Sequence, residues 1–235
     1  MPRFIALFVL LLAGCDETPA PTLGASNSIE PSGSYMDDLD KLESSLATDV
    51  ATVVTVAQTK YRAYYETCIQ AYRQRDSFVT ELLILVNDGP EPIPEKHRLW
   101  RTDAIWIENE NTQPTQFEID PAPAFAPITE VHTSGVKLTV YPFVWNACEF
   151  YFDSNESSWD AIDRWHVKWI DENDKKPQDK HGLSGVVHWL RQPIRDGNRV
   201  NLLLDFGSAP QDAFDEMIVA LARIIHAFVG MAFRG

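Results

Sequence analysis

The chain has 235 residues, 45 % of them apolar and 11 % aromatic, which supports a real core of one or two domains and excludes wholesale disorder. Its 20 Lys and Arg stand against 34 Asp and Glu, a net charge of −14, which argues against a nucleic-acid partner because affinity for phosphate backbones comes from cationic side chains. The longest strongly apolar run, Phe4 to Gly14, is far short of the roughly 20 residues that a spanning helix needs.

At the N-terminus, Arg3 supplies one positive charge, Phe4 to Leu12 an uninterrupted apolar stretch, and Ala13-Gly14 two small residues, the three-part plan of an export signal. Leu12-Ala13-Gly14-Cys15 resembles the lipobox of bacterial lipoproteins, a resemblance that covers residues 1–15. It implies cleavage before Cys15 and acylation of that cysteine by several chains. Attachment to a lipid bilayer is then durable, since each buried methylene adds about 0.8 kcal/mol. Cleavage removes Arg3 and takes the formal charge to −15. Asp16 is similar to the signal that retains enterobacterial lipoproteins at the inner membrane. The expected location is therefore the bacterial cell envelope, facing the periplasm, with the inner membrane preferred and the outer membrane as the alternative. Three parts follow: residues 1–14 as a signal peptide, 15–34 as the lipidated cysteine and a flexible Pro-, Ser- and Thr-rich tether, and 35–235 as a single globular domain.

From Tyr35 to Asp88 there is neither Gly nor Pro, and apolar residues recur in steps of three and four, from Leu39 through Val53, Tyr61 and Cys68 to Leu85. This predicts helix, closed by Asn87-Asp88-Gly89-Pro90. A single helix of that span would be about 80 Å long, so a hinge is expected at Gln74 to Ser77, and Glu81 to Val86 reads equally well as a strand. Beyond the Pro-rich loop the period changes to two. Strands are predicted at Thr102–Glu108, Gln116–Ile119, Val136–Val144, Ala147–Phe152, Trp165–Ile170, Gly185–Arg191 and Arg199–Phe206, with Asp196-Gly197 as a tight hairpin turn between the last two. The polar stretch Asp171 to Ser184 reads as a projecting loop. Ser208-Ala209-Pro210-Gln211 has the form of a capping box opening a C-terminal helix that runs to about Ala232. The expected class is α+β: an antiparallel sheet of about five to seven strands packed against long N-terminal helices and a C-terminal helix.

With Cys15 lipidated, Cys68 and Cys148 remain, both on apolar faces, in a compartment where disulfides persist. They are either two free buried thiols or a bond closing 79 intervening residues, worth about 4 to 5 kcal/mol in the chain-entropy model. No catalytic motif is present. Gly182-Leu183-Ser184-Gly185 lacks the spacing of a nucleophile elbow, and Asp205-Phe206-Gly207, though spelled like the magnesium-binding tripeptide of kinases, has no phosphate loop to accompany it. No cofactor is expected, and no metal motif is found among the six histidines. The one cluster worth testing is a solvated sheet-surface group of His166 and His188 with Asp205, to which Glu149 is an alternative.

A tethered, acidic, non-enzymatic globule fits a protein that binds a protein partner. Its negative surface would steer a basic toxin or dock on an envelope complex. Asp205-Phe206-Gly207-Ser208-Ala209-Pro210 with the preceding hairpin resembles immunity-type proteins, which implies neutralisation of a periplasm-acting toxin. The alternatives are an accessory lipoprotein subunit of an envelope secretion or assembly machine, and a glycan-binding protein or hydrolase using its seven tryptophans.

Overall fold

The computed structural model describes residues 49–73, 78–86, 95–108, 111–115, 117, 125–155, 158–225 and 229–232. The signal peptide, Cys15, the tether, the hinge at 74–77, the stop at 87–90 and all but Phe117 of the predicted strand at 116–119 lie outside the described residues.

The first helix, α1 (Val50–Tyr72), begins where the Asp49 carboxylate accepts the Thr52 N–H at 2.8 Å. Glu130 adds a second carboxylate at the same helix end, 3.2 Å from the Val50 nitrogen. Its buried stripe is Val50, Val53, Val54, Ala57, Tyr61, Tyr65 and Ile69, the three-four spacing legible in the sequence. After it come two short strands, β1 (Val79–Thr80) and β2 (Leu83–Leu85), so of the two readings of Glu81 to Val86 the strand holds and the second helix does not form. A 3-10 turn at Glu95–Arg98 leads into β3 (Leu99–Arg101), β4 (Ala104–Glu108) and β5 (Asn111–Thr115). β2 pairs antiparallel with β3, and β1, β4 and β5 form a three-stranded antiparallel sheet.

The remaining strands are β6 (Ile128–Val131), β7 (Lys137–Val140), β8 (Cys148–Asp153), β9 (Trp189–Leu190), β10 (Ile194–Asp196), β11 (Arg199–Asp205) and β12 (Val229–Ala232). Among the described residues they form one sheet in the order β10-β11-β8-β12-β7-β6, with β9 also on β11. The β12–β7 pair is parallel and the rest are antiparallel, so the sheet is mixed. The chain is thus α+β. Phe150 and Phe152 of β8 and Val200, Leu202 and Leu204 of β11 are buried, while Tyr151, Asn201 and Leu203 between them are half-buried, the alternation of a sheet with one covered face. On that face lie α2 (Asp160–Ile170) and α3 (Gln211–Leu221), joined by the Trp165 indole N–H donating to the Ala213 carbonyl at 2.8 Å. Phe206 sits at the centre, 4.4 Å from Trp145 between ring centroids and edge-on to Trp165.

Four expectations are corrected. Trp165–Ile170 is helix, because Ile162, Trp165, His166, Trp169 and Ile170 bury one helical face and the alternation of Trp165, Val167 and Trp169 is incidental to it. The C-terminal helix stops at Leu221, and Val229–Ala232 is a strand with neighbours on both sides. A continuous apolar run suits an interior strand as well as a buried helix. Ser208 does not cap α3, since its hydroxyl accepts the Val186 N–H at 3.1 Å and Pro210 holds the cap position without a side-chain bond. The 171–184 loop does not project: Arg62 reaches Asp179 at 2.6 Å, Arg73 the Lys180 carbonyl at 3.0 Å, and the Thr80 hydroxyl the Gly182 carbonyl at 2.5 Å. The expected tight turn forms one residue later, at Gly197-Asn198 with Gly197 at φ +58°, between β10, which ends at Asp196, and β11.

Cys68 and Cys148 are free, which removes the disulfide. Cys68 lies at the edge of the α1 stripe near Tyr64 and Asp103, whereas Cys148 faces Leu204 in the β8–β11 register. Burial raises the Cys68 thiol, offset in part by its bond with Tyr64, and burial raises Cys148 well above the ordinary range. In the native full chain Cys68 should therefore alkylate at least about tenfold more slowly than in urea, and Cys148 only on unfolding. Electrophoretic mobility should be the same with and without reductant; a reductant-dependent shift would restore the bond.

Candidate functional site

Charged side chains converge where β1, β3, β9 and β11 meet under α1. Glu81 follows β1, Asp103 lies between β3 and β4, His188 precedes β9 and Asp205 ends β11. Backbone bonds fix these positions. The His188 N–H donates to the Asp205 carbonyl at 3.0 Å, Arg101 N–H to the His188 carbonyl at 2.7 Å, and Thr102 N–H to the Leu82 carbonyl at 3.1 Å. All four side chains are buried, with residue exposures of 1 % for Glu81, 2 % for Asp103, 0 % for His188 and 1 % for Asp205.

His188 is the centre. Its Nε2 donates to Glu81 Oε1 at 3.1 Å, and its Nδ1 stands 2.9 Å from Asp103 Oδ1 and 3.6 Å from Asp205 Oδ2. The other carboxylate oxygens accept backbone N–H groups: Glu81 Oε2 from Ser184 at 2.5 Å, Asp103 Oδ2 from Phe117 at 2.5 Å, and Asp205 Oδ1 from Gly207 at 2.7 Å. From α1, the Tyr65 hydroxyl donates to the Asp103 carbonyl at 2.8 Å and the Tyr61 hydroxyl to Asp103 Oδ1 at 3.4 Å, while the Tyr65 ring meets the imidazole edge-on at 5.6 Å. Burial, then Asp103 for Tyr61 and Glu81 for Tyr65, holds both phenols well above their ordinary range, so both act as O–H donors. Burial pulls the imidazole pKa down, but Asp205, Asp103 and Glu81 together raise it well above the ordinary value. Burial pushes Asp205 up to about 6 against the pull of His188.

Two backbone features serve this packing. Glu81 adopts φ +51°, a left-handed conformation that is uncommon for a non-glycine residue, and so turns its carboxylate inward between two strands. Gly207, also at φ +51°, lies flat against the imidazole, where a Cβ would fall 2.1 Å from His188 Cδ2. Beneath Glu81, buried Arg101 donates to the Glu81 carbonyl at 2.7 Å, the Ile170 and Asp171 carbonyls at 2.6 and 2.7 Å, and Asp174 at 3.0 Å. It thereby ties the C-terminal end of α2, where a cation is favourable, to the cluster.

The structure brings together only part of the sequence-derived site. His188 and Asp205 meet, in the interior and not on a sheet surface. His166 is elsewhere, buried on α2 with its ring stacked on His97 at 6.2 Å. Glu149 also lies apart from His188, with Oε1 accepting from the Asn201 amide. It lines a groove of about 290 Å³ together with Ala147, Arg191, Gln192, Ile194, Asn201 and Leu203. The sequence places Tyr61 on the helical stripe but marks none of Glu81, Asp103, Tyr61 and Tyr65 as a site residue. The available signal was a lone acid, Glu81, inside the apolar run Phe78 to Val86. Asp103, Asp205 and His188 each offer one ligand-type atom, and these lie within 4.8 Å of one another. Chemically the arrangement can hold a proton or a cation.

No protein-family model matches the chain, no curated protein is similar to it, and no solved structure matches its fold.

Gly207→Ala should cost roughly 2–5 kcal/mol in urea unfolding, combining left-handed strain with displacement of the imidazole. Gly135→Ala, at φ +83° but with nothing within 4 Å of its Cβ, should cost only about 1–2 kcal/mol. Equal losses would show that the ring contact is not tight.

Proposed function

We propose that this chain is an acylated envelope lipoprotein that binds a protein partner, most concretely an immunity protein neutralising a basic toxin that acts in the periplasm. The observation that carries the reading is Leu12-Ala13-Gly14-Cys15 directly behind an export-type apolar segment. Supporting it is the charge of −14, which favours encounter with a basic partner.

The fold adds a surface suited to such a partner. β10 lies at one end of the large sheet's order, its three residues are exposed, and Ile194 keeps 60 % of its surface in water beside the Glu149–Asn201 groove. An edge strand offers unpaired N–H and C=O groups to an incoming chain, and an exposed branched side chain next to a concavity is an anchor for it. The groove carries one acid, Glu149, and one base, Arg191, so charged side chains of either sign can pair there.

Intact chain in detergent, used as bait on envelope and culture-supernatant fractions, should retain a basic secreted protein that binds again after separate purification. Ile194→Asp should weaken that binding at least about tenfold with little change in melting temperature, because the position is exposed. In cells, the chain should protect against the same protein directed to the periplasm, and Cys15→Ser should reduce protection. Binding to peptidoglycan oligosaccharides with no specific protein partner, or an unacylated full-length chain in the cytosol, would overturn the reading.

A further inference from the structure

We propose that Asp103, His188 and Asp205 bind one divalent transition-metal cation of the zinc class inside the fold, with the fourth position of the ion filled by a water molecule. Four observations converge on it.

The first is the donor geometry. His188 Nδ1, Asp103 Oδ1 and Asp205 Oδ2 face one another, with Nδ1 2.9 and 3.6 Å from the two oxygens. Ligands of a tetrahedral zinc ion, at bond lengths of about 2.0–2.2 Å, stand about 3.3 Å apart, so the two nitrogen–oxygen separations need shifts of only a few tenths of an ångström, and the two carboxylate oxygens, within 4.8 Å of each other, close by at most about 1.5 Å to seat the ion. The second is the outer shell. Glu81 takes the Nε2 proton of His188 and so directs Nδ1 to be the ligand, and each aspartate has its remaining oxygen fixed by a backbone N–H, from Phe117 and from Gly207. This carboxylate–imidazole–metal relay with hydrogen-bonded carboxylate ligands is how proteins orient metal ligands.

The third is an orphan atom. His188 Nδ1 is fully buried and has no hydrogen-bond acceptor: the nearby carboxylate oxygens lie close in distance but off the line of an N–H bond. Buried polar atoms are almost always partnered, and a cation on the Nδ1 electron pair, in place of a proton, supplies the missing partner. The fourth is charge. Three carboxylates and one imidazole share this closed volume, leaving a negative excess even with a protonated ring. The nearest buried guanidinium, Arg101, is bonded to carbonyls and to Asp174 instead. Isolated carboxylates are not kept ionised in such a place without a counter-charge, and a divalent cation provides it.

The donor set of nitrogen and oxygen without sulfur suits zinc or manganese and disfavours copper(I). The site joins segments 85 and 102 residues apart in the chain, counted from Asp103 to His188 and to Asp205, so the ion acts as a long-range clasp that forms with the fold. The inference rests on the interior alone and stands or falls separately from the partner-binding reading.

Metal analysis of the full chain purified in detergent from zinc-supplemented cells should give about one equivalent of zinc per molecule. Chain unfolded in urea and refolded in chelator should melt at least about 5 °C below chain refolded with zinc, and one equivalent of manganese restoring the higher melting point would equally support the site. X-ray absorption of the loaded protein should show nitrogen and oxygen neighbours only. Asp103→Asn and Asp205→Asn should lower metal content at least about tenfold; if either fails to fold, the refolding comparison on the unaltered chain decides. Less than a tenth of an equivalent with identical melts in zinc, manganese and chelator, or sulfur in the metal's first shell, would overturn the proposal.

Discussion

Placing an imidazole and three carboxylates in an interior closed to water is the constraint around which the surrounding structure is arranged. Each group there forfeits hydration, so each must find a partner, and removing one leaves another buried and uncompensated. The three N–H donors from Ser184, Phe117 and Gly207, the phenol donors of Tyr61 and Tyr65 and the backbone turn at Glu81 answer that need. Gly207 follows from the same demand, because only a residue without a side chain lets the chain pass flat over the ring. Even the polar 171–184 segment is recruited: its Ser184 end donates to Glu81, and Asp171 and Asp174 meet the guanidinium below.

This polar centre lies where the small sheets meet the large one. β11 runs from the β10 turn, past the groove residues Asn201 and Leu203, to Asp205 in the cluster. By alternation Asn201, Leu203 and Asp205 fall on the same side of that strand. The cluster therefore fixes one end of the element whose other end presents Asn201 opposite Ile194. A surface that recognises a protein gains when its supporting strand is already ordered, since less conformational freedom is lost on binding. The closed cluster and the open groove thus share one strand, the cluster holding its Asp205 end in place.

How much was legible in the sequence follows from whether periodicity or pairing determined each element. The stripe from Val50 to Ile69 and the alternation of β8 and β11 are local patterns, so a short window of sequence contains them. Trp165–Ile170 satisfied both templates over six residues, and only Ile162 one turn earlier separates them. Val229–Ala232 depends on vacant edges of β7 and β8, a fact of the whole fold that no window of residues contains. The candidate site was legible in part for the same reason. His166 and His188 were expected to share a sheet face with Asp205 beside them; only His188 and Asp205 meet, and Asp103 and Glu81 come from the turns between strands of other sheets. Glu81 is a lone acid in an apolar run, a sign of burial that names no partner, whereas Asp103, next to Arg101 and Thr102, carries no such sign.

The free cysteines sharpen the role of the cluster. Cys68 and Cys148 are free, so no disulfide links distant segments among the described residues. The long-range links are made instead by Glu81, Asp103, His188 and Asp205, four residues from four separate segments. Such a network differs from a disulfide in kind. It adds little net stability over a well-packed apolar alternative, yet it penalises every arrangement that leaves one member unpaired, so it selects one register of β1, β4, β9 and β11 over its neighbours. Register in a sheet is otherwise loosely set when strands are only two or three residues long, as β1 and β9 are. The expense of burying charge is thus matched to the place where hydrophobic patterning is least able to specify the fold.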